Sequence, residues 1–195
     1  MENKTIHIKN MCCQRCIEYV ESVMRKHKIN YTKVTLGKVE VKIISTKELN
    51  TIKIELAEKS YEILENKEDK ILEDIKNILL QLIIDLQTNI NKTEINNKVS
   101  LPEIFKYKHK LPYRSLQSIF KKHRHTTIEK YFITLKIEKT KDLIENSHLN
   151  FSEIARQLGY SSLAHLSAQF KKITNKTMKE YYNSNSSNRK GFDKL

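Results

Sequence analysis

The second half of this chain repeats itself at an offset of 50 residues, and that repeat constrains the fold more than any other feature. The shift brings Glu103 onto Glu153, Ile104 onto Ile154, Lys106 onto Arg156 and His109 onto Gly159. It also brings Leu116 onto Leu166, Phe120 onto Phe170, Lys121–Lys122 onto Lys171–Lys172, Thr127 onto Thr177 and Tyr131 onto Tyr181. The matches keep step with helix punctuation. Ser100 and Asn150 each precede a Glu by three residues, as do Thr126 and Thr177, which is the spacing of a capping box. Gly159 suits a left-handed turn, and His109 at the equivalent place is expected to adopt the same conformation. A second helix is expected after each turn, over 112–122 and 162–172.

Helix, tight turn, helix is the plan of a helix-turn-helix motif, whose second helix enters the major groove of DNA. The stretch between the copies, "TTIEKYFITLKIEKTKDLIENS" at 126–147, reads as one long helix with Tyr131, Leu135, Leu143 and Ile144 near one face. About twenty residues at a helical rise span roughly 30 Å, close to the ~34 Å turn of B-DNA. Such a strut could place two reading helices in successive major grooves. Charge supports a polyanionic partner. The formal net charge of the chain is +13. Residues 1–89 hold 15 basic and 14 acidic side chains, whereas residues 90–182 hold 18 and 8, a net +10. A near-neutral half joined to a strongly basic one suggests two domains, the second facing nucleic acid.

"SIFKKHRHTTIEKYFITLKIEKTKDLI" followed by "FSEIARQLGYSSLAHLSAQFKKITNKTMKEYY" strongly resembles the DNA-binding domain of AraC/XylS-type transcription regulators. The resemblance covers about residues 98–182, and "SEIARQLGYSSLAHLSAQFKK" is its most specific part. It implies base-reading positions at Arg114, Gln117 and Ser118 in the first copy. In the second it implies Ala164, His165, Ser167 and Ala168, with Ser162 at the start of the helix. Helical geometry agrees in pointing Leu116, Phe120, Leu166 and Phe170 inward. Arg114 has the chemistry to bind guanine and Gln117 to bind adenine, and His165 can donate to a base acceptor. Ala168 stands where the family often carries Arg and offers only a methyl group. Lys121, Lys122, Lys171 and Lys172 are expected to clamp phosphates. The implied partner is double-stranded DNA at a promoter or operator, with RNA polymerase a further partner.

The first 66 residues change period several times. "TIHIK" alternates like a strand, and from Cys16 the apolar residues Ile17, Val20, Val23 and Met24 fall at helical spacing. "INYTKVTL" and "KVEVKII" read as a hairpin around Gly37, "TKELNTIKIELAEKS" as a helix and "YEILE" as a last strand. The order βαββαβ is that of a ferredoxin-like fold with helices on one face of an antiparallel sheet. The fold class is therefore α+β: a small ferredoxin-like domain over 1–66, then an all-α domain with two helix-turn-helix motifs over 98–183. Between them lie an amphipathic helix and a polar linker, 67–97. The helix at 68–88 is expected either to pack within the chain or to form a dimer seam. Residues 184–195 are expected to be a disordered tail.

All three cysteines fall in "MCCQRC", residues 11–16. "IHIKNMCCQRCIEYVE" resembles the metal-binding loop of the heavy-metal-associated domain, with Met11, Cys13, Cys16, Val20 and Glu21 in the family's places and the departures Asn10 and Cys12. The positive end of a helix and Arg15 favour thiolates here. Cys13 and Cys16, with Cys12 a further ligand, suit a soft ion: Cu(I) foremost. Zinc wants four ligands, so His7, His27 or a second subunit would have to complete its site. A dithiol switch and a contact-only domain are the rivals.

No apolar run is long enough for a membrane span, since "ILLQLIIDL" at 78–86 is interrupted by Gln81 and Asp85. "MENKTIHIKN" lacks the apolar core of a signal peptide, so a cytoplasmic protein is expected. Three Gly and two Pro are too few for an all-β fold. No catalytic constellation is visible, and nothing resembles the proline loop of thioredoxins. The expected function is a sequence-specific regulator of the AraC type that responds to a soft metal ion. The alternatives are a redox- or partner-controlled regulator without metal, and a metal carrier whose basic half docks an acidic partner.

Overall fold

The computed structural model describes residues 4–88 and 100–189, which fall into two units divided between Gln81 and Leu82. The expected linker and the last residues, 89–99 and 190–195, lie outside the described residues. The division falls inside the helix Lys67–Thr88.

In the first unit, β1 (Lys4–Lys9), α1 (Gln14–Lys26), β2 (Tyr31–Thr35), β3 (Lys38–Val41), α2 (Thr46–Glu58) and β4 (Glu62–Leu64) follow in that order. The four strands form an antiparallel sheet in the order β2-β3-β1-β4. Register decides the faces. Ile6 pairs with Val39 and His7 with Lys38, so apolar and polar pairs alternate across the sheet. Ile6, Ile8, Val39 and Val41 are buried, as are Val20, Val23 and Met24 of α1 and Ile52 and Leu56 of α2. Ile54 of α2 is exposed.

The face that carries His7 and Lys38 is met by α3 (Lys67–Thr88). Lys38 Nζ lies 2.8 Å from Asp74 Oδ2, and His7 Nε2 lies 3.5 Å from Asp74 Oδ1. The helix carries Ile71, Leu72, Ile75 and Leu79, all buried. The 68–88 helix thus packs within the chain. Gly37 closes the β2–β3 hairpin with φ +74°, and a Cβ there would lie 1.9 Å from Asn77 Nδ2 of α3. Only glycine meets both demands.

Among the described residues of the second unit, six helices follow residue 100: α4 (Leu101–Lys108), α5 (Tyr113–Arg124), α6 (Ile128–Asn146), α7 (Phe151–Gln157), α8 (Leu163–Thr174) and α9 (Met178–Arg189). The repeat seen in the sequence is a repeat of structure. α5 and α8 begin and end 50 residues apart, as do the starts of α4 and α7 and of α6 and α9. Ser100 and Asn150 each donate their backbone N–H to the Glu three residues on, at 2.9 and 2.7 Å. His125 and Asn175 end α5 and α8 in the left-handed conformation, φ 52° and 58°. Thr127 and Thr177 then cap the next helix, so the cap of α6 is Thr127 and not Thr126. One expectation fails: His109 is extended, φ −138°, and the left-handed residue exists only in the second copy at Gly159, φ +67°. The first turn is instead shaped by His109 Nδ1, which accepts from the N–H of Leu111 at 3.0 Å, and by Pro112, whose fixed φ leads into α5. A second difference is at the end of the chain, where α9 runs to Arg189, past the expected limit at 183.

Because Gly37 is both left-handed and crowded, Gly37→Ala is expected to cost the first unit about 2 kcal/mol. Urea unfolding followed by circular dichroism measures it; an unchanged midpoint would show that α3 does not press on this hairpin.

Candidate nucleic-acid interface and thiol cluster

Each reading helix is held by the same small set of buried residues. Leu116 and Phe120 of α5 are buried, and so are Leu166 and Phe170 of α8. Phe120 packs on Tyr131 of α6 with ring centroids 5.3 Å apart, and Phe170 packs on Tyr181 of α9 at 5.6 Å. With the apolar side fixed, the opposite side of each helix is exposed by the 3.6-residue period. On α5 that side carries Arg114, Ser118, Lys121 and Lys122. On α8 it carries Ala164, His165, Ala168, Lys171 and Lys172, with Ser162 exposed at the start. Ser162 caps α8: its Oγ accepts from the N–H of His165 at 3.2 Å.

Two predicted readers point elsewhere, and they are equivalent positions. Gln117 accepts from the N–H of Ile128 at 3.2 Å and donates to the Glu129 carboxylate at 2.6 Å. Ser167 is half-buried and its hydroxyl faces Met178 Sδ at 3.7 Å. Ile128 and Met178 each open the following helix. In both copies, therefore, this position fastens the reading helix to its successor. Burial raises the Tyr113 phenol, and its bond to Glu129 raises it further; Tyr113 donates to that carboxylate at 2.7 Å.

His165 is exposed but supported. Its Nε2 lies 3.0 Å from Gln169 Nε2, and Gln169 Oε1 accepts from the Tyr160 hydroxyl at 3.0 Å. The His165 ring stands edge-on to Tyr160 at 5.4 Å. Sequence reasoning misses Gln169 and Tyr160. The signal for Gln169 is its place one turn after His165, at i+4.

The long helix α6 touches α5, α7, α8 and α9. Its 19 residues span about 28 Å at a helical rise. Ile137, Leu143 and Ile144 of α6 join one core with Ile154, Leu158, Leu166, Phe170 and Met178. Against that core lies a lysine: Lys136 Nζ sits 5.0 Å from the Phe132 ring centre and 4.9 Å from that of Tyr160. Burial pushes its ammonium down to about 8.

In the first unit the cysteines converge. Asn10, left-handed at φ 73°, turns the chain after β1, and its side chain donates to Ser60 O at 2.7 Å. Met11 is fully buried and its sulfur accepts from Gly37 N–H at 3.3 Å. Cys13 is the N-cap of α1, and Cys16 lies in the first turn. The Sγ atoms of Cys12, Cys13 and Cys16 all lie within 4.8 Å of one another. Cys13 and Cys16 are 3.5 Å apart, and Cys12 and Cys16 are 3.8 Å apart. Burial raises the Cys16 thiol, but hydrogen bonds from Cys12 N–H, the Tyr61 hydroxyl and Cys13 outweigh it and bring the thiol down to about 7. Burial, then Cys16, pushes the Cys12 thiol up to about 11. Three soft donors, one ionised near neutrality, fit a soft ion.

Residues 109–184 match the family model described as "Helix-turn-helix domain". Among solved structures, the chain is similar to the DNA-binding domain of AdpA, a global transcriptional factor solved in complex with a target DNA. That likeness has 14% identity, covers 59% of this chain and 95% of the other, and has a TM-score of 0.48. An AraC-type DNA-binding-domain regulator from Chromobacterium violaceum is similar at 22% identity, over 54% of this chain and 93% of the other, TM-score 0.42. The C-terminal domain of the two-component response regulator yesN from Fusobacterium nucleatum is similar at 24%, over 52% and 98%, TM-score 0.40. At these scores none of the three bears on function. No curated protein matches the chain. Among the described residues, no helix is long and apolar enough to cross a membrane.

The lysine in the α6 core has a consequence in pH. Its folded pKa, about 8, lies below the ordinary lysine value, so the folded state is penalised by the buried charge below pH 8. Stability then rises as the pH climbs from 8 toward the unfolded pKa. Lys136→Met is expected to raise stability at pH 7 by about 1 kcal/mol, the gain being limited by the loss of the ring contacts. The difference should close toward pH 10; a pH-independent difference in melting temperature would contradict it.

Proposed function

We propose, from a C-terminal region that is a helix-turn-helix domain of the AraC/XylS type, that the chain is a sequence-specific transcription regulator that holds double-stranded DNA with α5 and α8. One observation carries this reading. Two reading helices of the same length, 50 residues apart, each present an exposed polar and basic face while their apolar faces are locked to a shared unit. The ~28 Å helix between them is close to the repeat of B-DNA. A generic helical hairpin has no reason to repeat an exposed lysine pair, Lys121–Lys122 and Lys171–Lys172, together with its core.

In this reading the side chains divide by chemistry. Lys121, Lys122, Lys171 and Lys172 neutralise phosphates and set register. Arg114 has the reach and donors for a guanine edge, Ser118 for either acceptor or donor, and Ala164 and Ala168 offer methyl contacts to thymine. His165 reads or positions within the hold of Gln169 and Tyr160. Gln117 and Ser167 act as fasteners rather than readers.

The first unit, read as a ferredoxin-like sensor, would hold a soft ion through Cys13 and Cys16 with Cys12 beside them. The ion would supply covalent-like cross-linking of the loop. It biases DNA binding only to the extent that it binds two states of the protein with different affinity. The 3.5 Å between Cys13 and Cys16 sulfurs also favours a second reading, a dithiol that closes to a disulfide.

The test is fluorescence anisotropy on a fragment of the chain's own promoter region against a scrambled fragment, at several salt concentrations. A preference for the promoter fragment is expected. Arg114→Ala is expected to lose about 1–3 kcal/mol on the preferred fragment and much less on the scrambled one. Lys172→Ala is expected to weaken both alike and to reduce the salt slope by about 0.9. Equal affinity for the two fragments would favour a carrier that docks an acidic partner.

A further inference from the structure

We propose that Cys12, Cys13 and Cys16, folded together at the start of α1, form a three-thiol receptor for a trivalent thiophilic element, with inorganic arsenite as its reference ligand. The proposal rests on the reading above that the first unit holds a soft ion, and it names the class of that ion.

Spacing argues for three-coordination. With a metal–sulfur bond of about 2.3 Å, two sulfurs stand about 4.6 Å apart in linear coordination and about 4.0 Å apart in a flat trigonal site. They stand about 3.5 Å apart when the bond angle narrows to near 100°, as in a pyramidal centre with a lone pair. The two distances to Cys16 Sγ, 3.5 Å and 3.8 Å, belong to the narrow end, and the remaining pair, Cys12 and Cys13, lies within 4.8 Å. A two-thiol linear site would need Cys13 and Cys16 to move apart.

Donor count and charge point the same way. The cluster holds three ligand groups among the described residues, one short of a tetrahedral zinc site. Three thiolates carry −3. A trivalent centre brings the complex to zero, whereas a divalent ion leaves −1 and a monovalent ion −2. Excess charge is costly beside Cys16, which is 8% exposed. Arg15, the nearest cation in sequence, is exposed and screened.

The site is also built in advance. Asn10 is tied to Ser60 O, and its N–H lies 3.3 Å from Glu73 Oε1. Met11 is sealed in the core, and Cys12 N–H donates to Cys16 Sγ at 3.4 Å. The loop therefore holds its third sulfur near the other two before any ligand arrives, while Cys12 stays exposed to admit it.

The chemistry balances without a redox partner. Trihydroxyarsenic exchanges three As–O bonds for three As–S bonds. Each thiol proton leaves with one hydroxyl as water, and no atom changes oxidation state.

The experiment is anaerobic titration of the reduced full chain with arsenite and, separately, with Cu(I). Native mass spectrometry and near-ultraviolet sulfur-to-arsenic absorption are the readouts. One arsenic per chain with three protons displaced is expected. Cys12→Ser is expected to weaken arsenite binding at least about tenfold while Cu(I) still binds through the remaining pair. Circular dichroism establishes that the variant is folded, and Cys12→Ala serves as the second replacement at this exposed position. If arsenite binds both variants as it binds the wild type, or fails to bind while Cu(I) binds, the three-thiol receptor is overturned and the soft-ion reading survives. If neither ion binds the reduced wild type, both are overturned.

Discussion

The contact on which the second unit depends is the ring pair that joins each reading helix to its successor. Phe120 and Phe170 are almost wholly buried, and each meets a tyrosine one helix later. Burying such a ring is worth about 1.5–3 kcal/mol, and its aromatic partner adds about 0.5–1.5. The route between the two rings is equally fixed. A left-handed residue ends the helix, a threonine caps the next, and the second ring arrives in its first turn. A surface that reads a rigid duplex must itself be placed rigidly. Here that placement comes from four rings and two turns, not from the exposed side chains.

Much of this is legible in the sequence because its causes are local. Caps, left-handed termini and a 3.6-residue apolar stripe are properties of a few consecutive residues, and α5 and α8 fall within two residues of their expected limits. Sequence reasoning fails where the deciding partner is distant along the chain. Gln117 and Ser167 sit on the border between buried and exposed faces, where helical periodicity alone does not choose a side; Ile128 and Met178 decide it. Aligning the two copies gives His109 the conformation of Gly159, but the two turns have different causes. Glycine at 159 is demanded by its left-handed backbone, φ +67°, with Leu86 adding a close approach of 3.2 Å to a Cβ there, and the first copy reaches its turn through Pro112. The placement of α3 on the second face of the sheet likewise rests on Asp74 meeting His7 and Lys38, residues 36 positions or more away.

The thiol cluster shows the opposite balance. Which cysteines gather is plain from sequence, because a C-x-x-C at a helix start brings its two sulfurs together. Cys12 is expected beside them as a further ligand, but what holds it there is not legible in the sequence: a left-handed Asn10 and a buried Met11 set the loop. Those two residues contribute no ligand. They determine how many ligands there are, and with it the charge and angle that an ion must match.

The two reading helices share a scaffold but not a message. α5 offers Arg114 and Ser118, a long bidentate donor and a hydroxyl, whereas α8 offers two alanine methyls and a histidine held by Gln169. Paired half-sites are palindromic when two identical subunits read them, since the symmetry of the site mirrors that of the protein. A single chain with duplicated backbone and diverged faces removes that requirement. On the proposed reading its operator has two unlike boxes about one helical turn apart. The box under α5 is read by hydrogen bonds, and the box under α8 by methyl contact and fit. Discrimination should then be unequal, because a bidentate hydrogen-bonded pair separates bases more sharply than a methyl contact does. The backbone lysines, present in both copies at the same helical position, carry the part of the affinity that the two halves have in common.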